Sequence, residues 1–405
     1  MKKRRFLKIS AMMMAVLVLS LMIGTWMPAG WAATASAEAY TPVYSASELF
    51  TSRDLQQTAD LTDAAVYNVT GDIHIDKAGV YVLSGTASNA TVYVEAPKDA
   101  KVQLVLDGLS ITNTDFPCIY VVSADKVFIT TSSDSSLSVT RAFRYDGDIH
   151  TDGVIFSRDD LTLNGTARLT IRSLDAGVVS KDDLKITGGA YTVSAATKAF
   201  EANDSIRVCG GTFELTAGTD GLHAENNDDD SSGYIYLDGG TMNINAGDDG
   251  IHATSVLQID GGEYSIRARE GLEGTYIQIN DGTLDISATD DGINAAQKSR
   301  SFQVDLELNG GSVTVSMSGG DTDGIDSNGN LHVNGGVVNV SGSSTFDYDG
   351  IGNYTGGTII ANGQTLNGLP NQMMGGRGGR GGMNGFGQQN GYGRTNGYGG
   401  RGGWH

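Results

Sequence analysis

Between Glu38 and Pro370 there is no tryptophan; the three in the chain are Trp26, Trp31 and Trp404. That stretch therefore cannot grip crystalline or neutral glycans on exposed indole rings. Cysteine is nearly as scarce, at Cys118 and Cys209, which excludes a disulfide-stapled fold. Basic residues are few: the same stretch carries 18 Lys and Arg against 47 Asp and Glu, a formal charge of −29. Plain repulsion then excludes nucleic acid and anionic membrane surfaces as partners and invites divalent cations. No apolar run reaches the ~20 residues of a membrane-spanning helix. The longest, Ile9 to Ile23, follows Lys2, Lys3, Arg4 and Arg5 and precedes Ala33, Ala35 and Ala37. A basic start, a short apolar core and small residues at the end predict a secretory signal peptide over 1–37 and a secreted or wall-associated protein. No cysteine follows the run, so a lipid anchor is excluded, and an uncleaved leader is the one membrane attachment left open.

Glycine is abundant, at 57 of 405 residues, and its placement is periodic. Eight segments share one pattern, an alternating strand ending in a glycine turn, as in 184–189, 206–211, 257–262, 306–311 and 331–336. The second turn glycine falls at Gly165, Gly189, Gly211, Gly240, Gly262, Gly282, Gly311 and Gly336, at intervals of 20 to 29 residues. After each turn, apolar and polar residues alternate: Phe213, Leu215 and Ala217, then Met242, Ile244 and Ala246, then Tyr264, Ile266 and Ala268. Period two marks a strand with one buried face. A third short segment recurs as Gly-Ile-x-Ala at 250–253 and 292–295. Three short strands and three turns per repeat of about 24 residues predict an all-β fold, a right-handed parallel β-helix. Leu-rich repeats lack support because their Leu/Asn spacing is absent. Cys118 and Cys209 fall several repeats apart, too far for a disulfide, and read as small buried residues. The organisation expected is a domain over 38–370, opening on a cap, and a tail over 371–405. That tail holds 15 Gly among its 35 residues and four Arg but no acid; it cannot bury a core and is expected to be a disordered spacer.

The chemistry concentrates at the corner before Gly-Ile. Aligning the repeats places Asp220, Asp249, Glu270, Asp291, Asp323 and Asp349 at one position, with Asp248, Asp290 and Asp321 beside it. Carboxylates stacked ~4.8 Å apart repel by about 1 kcal/mol in water and about 3 at an intermediate dielectric. Hard oxygen ligands at this density suit Ca²⁺. The plainer reading is turn chemistry, Asp capping the turn and Gly taking positive φ. Two residues past the glycine comes a second row: Glu201, His223, His252, Glu273, Asn294 and Asp326. It reads as a polar groove lining for a glycan, with Arg267 close by, or as an ordinary solvated stripe. His223 and His252 lack zinc-type spacing to any cysteine, so zinc is not expected. An adjacent corner repeats as Asp159-Asp160, Asp182-Asp183 and Asn203-Asp204, with Asp228, Asp229 and Asp230 as an exposed acidic loop.

Several unlike motifs occur in order: 79–85 (Gly-Val-Tyr-Val-Leu-Ser-Gly), 102–108 with Ile119-Tyr-Val, 157–165, 180–189 and 247–253 (Gly-Asp-Asp-Gly-Ile-His-Ala). From Tyr67 to Thr358 the chain resembles the bacterial carbohydrate-binding β-helix family, similar in shape to pectate lyases. The resemblance implies a secreted or surface-attached protein that binds Ca²⁺ and plant-type polysaccharides, including acidic ones, without established catalysis. Lys198 and Ala176-Gly177 depart from the acidic pattern and put metal binding in doubt for the earlier repeats.

The expected function is calcium-dependent, non-catalytic binding of acidic or plant cell-wall polysaccharide, such as polygalacturonate or cellulose. Tyr234, Tyr276, Tyr348 and Tyr354 would supply what stacking there is. The alternatives are a calcium-assisted lyase, with Arg267, Arg269 or Lys198 as base, and a structural surface protein or adhesin.

Overall fold

The computed structural model describes residues 40–319 and 322–372; the leader, the glycine-rich tail and Asp321 lie outside them. The described residues are all-β, with one four-residue helix at Ala46–Leu49. No helix among the described residues is long and apolar enough to cross a membrane.

Apart from two short antiparallel hairpins, at Tyr145–Asp146 with Ile149–His150 and at Thr358–Ala361 with Gln364–Leu366, the strands pair in parallel with strands one repeat before or after. In the pre-glycine strands one ladder runs Leu104, Ile129, Leu163, Ile186, Val208, Leu237, Ile259, Ile279, Leu308, Val333. The post-glycine strands stack Leu169, Tyr191, Phe213, Met242, Tyr264, Leu284, Val313 and Val338. The short segments stack Ile119, Ile155, Val178, Phe200, Leu222, Ile251, Leu272, Ile293, Ile325 and Phe346. These three ladders are buried and form one core, because period-two alternation sends each apolar residue to the same face as its counterparts. Ala246 and Met317 at the strand ends are only half-buried.

Polar ladders fix the register as well. Asn280 Nδ2 donates to Asp260 Oδ1 at 2.7 Å, Asn309 Nδ2 to Asn280 Oδ1 at 2.8 Å, and Asn334 Nδ2 to Asn309 Oδ1 at 2.8 Å. A slip of one residue would break this amide chain and turn each apolar ladder outward together.

The two glycine columns have different causes. Gly262 of the double-glycine turns has φ +106°, a left-handed conformation that L side chains rarely adopt. The corner glycines do not take positive φ, contrary to the turn-chemistry reading. A Cβ on Gly250 would lie 2.3 Å from Ile266 Cγ2 and 2.5 Å from the Gly271 carbonyl oxygen. Glycine is needed there because the next repeat's backbone passes too close.

Ala65–Asn68 closes the leading segment as the end strand, paired with Gly79–Ser88; the residues before it do not cover the end. They run along the outside of the pre-glycine strands: Gln278 Nε2 donates to the Thr41 carbonyl at 3.2 Å, and Tyr44 stacks on Tyr234 at 4.3 Å. Further along, Arg53 covers the Phe128 ring and Gln57 Nε2 reaches the Thr187 carbonyl at 3.0 Å. Asp54 is fully buried there, 3.3 Å from Lys185 Nζ and 3.7 Å from Lys126 Nζ, and accepts from Thr51 N at 2.9 Å. Cys118 is buried but Cys209 only half-buried, and neither forms a disulfide.

The two causes separate by mutation. Gly250→Ala should destabilise by about 1–3 kcal/mol, the cost of overpacking. Gly261→Ala, whose Cβ would meet nothing closer than 3.8 Å, should stay within about 0.5 kcal/mol. Equal shifts in the urea midpoint for both would refute the close-approach explanation.

Candidate cation and glycan site at the repeat corner

The corner begins with the alternation that buries Leu222, Ile251, Leu272, Ile293 and Ile325. The residue after each faces outward, so Glu201, His223, His252, Glu273, Asn294 and Asp326 form one continuous row, extended by Asp347. Beside it Asp249 pairs with Glu270. Backbone amides continue this second row: Gly221 N donates to the Asp249 carbonyl, Gly271 N to Asp291 and Gly292 N to Asp323, each at 3.0 Å. Two carboxylates also hold the next repeat's amide, Asp249 N donating to Asp220 Oδ1 at 3.1 Å and Asp323 N to Asp291 Oδ1 at 3.2 Å. Part of their role is thus structural.

The register corrects one assignment. Ser344, not Asp349, lies opposite Asp323; Asp349 follows the strand Ser344–Tyr348 and its amide donates to the Ser327 carbonyl. The shorter last repeat misled the alignment. Arg267 is exposed on the outer face of the preceding strand, paired with Asn245 and Ser287, and not in either corner row. Tyr234 lies under the leading segment, and the Tyr276 hydroxyl donates to Glu307 at 2.9 Å.

Over its first half the acidic corner is neutralised by the protein itself. Arg269 spans three carboxylates, at 2.5 Å from Asp248 and 2.7 Å from Glu270, and also pairs with Asp290. Glu201 meets Lys181 and Lys198 at 3.3 Å each. His223 Nδ1 lies 2.9 Å from Asp220, and its ring stacks on that of His252 at 4.6 Å. His252 Nδ1 lies 2.9 Å from Asp249 Oδ2 and 2.6 Å from Glu273 Oε2, while Lys298 Nζ lies 2.6 Å from Glu273 Oε1. Burial alone would raise the Glu273 carboxyl, but the hydrogen bonds from His252 and Lys298 outweigh it and hold it well below its usual range.

The second half has no such partners. Asp291, Asp323 and Asp326 make no ion pair among the described residues. Burial, then the charges of Asp290 and Asp323, push Asp291 up to about 6. Burial, with Asp291, Asp323, Asp347 and Asp349 nearby, pushes Asp326 up to about 7. Asp323 Oδ1 is buried without a hydrogen-bond donor among the described residues. In the neutralised half, ligand atoms of Asp220, Asp248 and Asp249 lie within 4.8 Å of one another and could also hold a cation.

One feature of the outer row escaped the sequence reading. Upstream of Glu201 and Val179 the row becomes aromatic: His74, Tyr93, Tyr120 and Phe156. His74 and Tyr93 stack at 4.8 Å, whereas Tyr120 and Phe156 are buried with Phe116, over which Arg144 sits at 4.1 Å. The outward positions are therefore not uniformly polar. The signal was present in Val92-Tyr-Val and Ile119-Tyr-Val, which align with Gly-Ile-His-Ala. A shallow groove of about 410 Å³ crosses the outer face of the post-glycine strands, lined by Thr212, Glu214, Asn243, Glu263, Ser265 and Asp285 among others.

The family model for carbohydrate-binding domain-containing proteins matches residues 69–344 and 268–365. A carbohydrate-binding domain-containing protein of Acetivibrio thermocellus is 38% identical over 129 residues, 31% of this chain and 45% of that protein. The match thus spans under half the length of that relative. A solved structure of the polysaccharide lyase-like protein from C. thermocellum, a gadolinium derivative, shares 31% identity. It aligns with a TM-score of 0.49 over 55% of this chain and 96% of its own. With its family model matched across all but the first of the stacked repeats, this chain belongs to the carbohydrate-binding domain-containing family.

Proposed function

We propose that this is a secreted, non-catalytic protein that binds acidic polysaccharide through calcium held at the repeat corner. One observation carries the reading: Asp291, Asp323 and Asp326 crowd together without an ion-pair partner among the described residues, while upstream Arg269, Lys298 and His252 stand among the carboxylates. A hard divalent cation bound by several carboxylates would relieve that repulsion. With coordination positions left over, it could also bridge to a uronate carboxylate, which a body of this negative charge would otherwise repel. The fold behind this function is read as a right-handed parallel β-helix, supported by the one-repeat parallel pairing along all three ladders. The lyase reading is disfavoured, because Arg269 and Lys198 are engaged in ion pairs and Arg267 stands on another strand.

Calcium at a hundredfold excess over its Kd should stabilise the protein by about 2.7 kcal/mol. EDTA should lower Tm and Ca²⁺ restore it, while the double variant Asp291→Asn, Asp323→Asn should lose most of that response. A melting curve indifferent to both reagents would sink the calcium assignment.

The pH dependence follows from the raised carboxyls. Asp291 and Asp326 bind protons more tightly folded than unfolded, so without calcium stability should fall as pH rises between the ordinary carboxylate range and about 7. Asp326→Asn should flatten the difference in urea midpoint between pH 5 and pH 7; an unchanged slope would show that Asp326 is not the titrating group.

Binding to polygalacturonate should require Ca²⁺, vanish in EDTA and survive deletion of 371–405. Retention in EDTA, with loss on deletion, would move the binding site to the tail arginines.

A further inference from the structure

Along the chain His223 and His252 have no cysteine at a zinc-type spacing. Parallel stacking supplies a different ligand set. Asp249 and His252 belong to one repeat, separated by Gly250 and Ile251, and Glu273 is the register partner of His252 in the next. Asp249 Oδ2 and Glu273 Oε2 converge on His252 Nδ1 at 2.9 and 2.6 Å, and one ligand atom from each residue lies within 4.8 Å of the others.

We propose that Asp249, His252 and Glu273 form a binding site for a borderline divalent cation, Zn²⁺ in particular, separate from the calcium-binding acids Asp291, Asp323 and Asp326.

Two carboxylate oxygens and one imidazole nitrogen are donors that Zn²⁺ binds at about 2.0–2.2 Å. The present separations of these atoms allow a shared ion after small side-chain rotations. Imidazole also discriminates between metals: Ca²⁺ takes oxygen ligands, whereas a histidine ligand suits zinc, copper or nickel. The Asp249 carboxylate also keeps one oxygen uncommitted. Asp249 is 5% exposed, and its other oxygen, Oδ1, is buried with no hydrogen-bond donor among the described residues.

The supporting contacts already orient the set. Lys298 holds Glu273 Oε1, leaving Oε2 toward the imidazole, and the His223 ring stacks flat on His252. In the metal-free protein a proton on Nδ1 links the histidine to the carboxylates. Binding the cation displaces that proton to solvent, and the metal takes the nitrogen lone pair. Three protein ligands leave a coordination position open, as in zinc sites that accept an external oxygen ligand; here that ligand would be water or a glycan oxygen.

The test titrates Zn²⁺ calorimetrically into the mature chain with Ca²⁺ saturating throughout, and repeats the titration with Co²⁺ while following its visible ligand-field bands. One zinc site should appear, together with cobalt bands of nitrogen–oxygen coordination. His252→Asn should abolish both, and it should still fold, because Asn294 already occupies the same row one repeat beyond Glu273. Glu273→Gln should weaken binding by about tenfold or more, while His332→Gln, at the Asp305 pair elsewhere, should leave it intact. No zinc binding, displacement of zinc by Ca²⁺, or unchanged binding by a folded His252→Asn protein would each overturn the proposal. Because calcium stays saturating, failure here leaves the calcium result standing, and the melting response to EDTA alone judges that one.

Discussion

Parallel strands in register about 4.8 Å apart set each side chain directly against its counterpart one repeat away. The rest of the structure follows from what each kind of residue does at that spacing. Stacked aliphatics such as Ile186, Val208 and Leu237 exclude water along a continuous ladder. Stacked amides can donate to one another, so Asn280, Asn309 and Asn334 form a chain. Stacked carboxylates can only repel, and a row of them needs a positive partner. The same spacing leaves no room for a Cβ at the corner, which is why Gly250 and its counterparts are glycine.

Two solutions to the carboxylate problem sit along one corner. In the middle repeats the chain places its own cations: Arg269 among Asp248, Glu270 and Asp290, and Lys298 and His252 around Glu273. In the last repeats no Lys or Arg among the described residues pairs with Asp291, Asp323 or Asp326, and the Asp291 and Asp326 carboxyls respond by holding protons to higher pH. A charge left open to an external ion is one the chain can use for recognition, since an ion shared with a ligand couples the two. Charge already paired internally has less to offer an anionic polymer, which is why the glycan contact we propose lies at the later repeats.

Two faces are withdrawn from that role. The leading segment occupies the outer side of the pre-glycine strands, held by the buried Asp54 with Lys185 and Lys126. The upstream end of the corner row is aromatic and largely covered, with Tyr120 and Phe156 beneath Phe116. What remains open is the acidic end of the corner and the shallow face of the post-glycine strands, where hydroxyls alternate with Glu214, Glu263 and Asp285.

Strands, their inward faces and the repeat were legible in the residues alone, because period-two alternation and a recurring glycine turn are local properties. The sequence also determined most of the acidic row, since Asp249, Glu270, Asp291 and Asp323 precede the same glycine and the register keeps them together. It could not determine which carboxylates are neutralised. Arg269 reaches Asp248 and Asp290 across neighbouring repeats, and Lys298 arrives from an insertion of irregular length; neither belongs to the repeating pattern. Nor could it place the leading residues, whose contacts join Thr41 to Gln278 and Asp54 to Lys185 over long stretches of chain. Alternation is dictated by the backbone within one strand, whereas counter-charge and cover depend on which distant side chains the stacked repeats bring together.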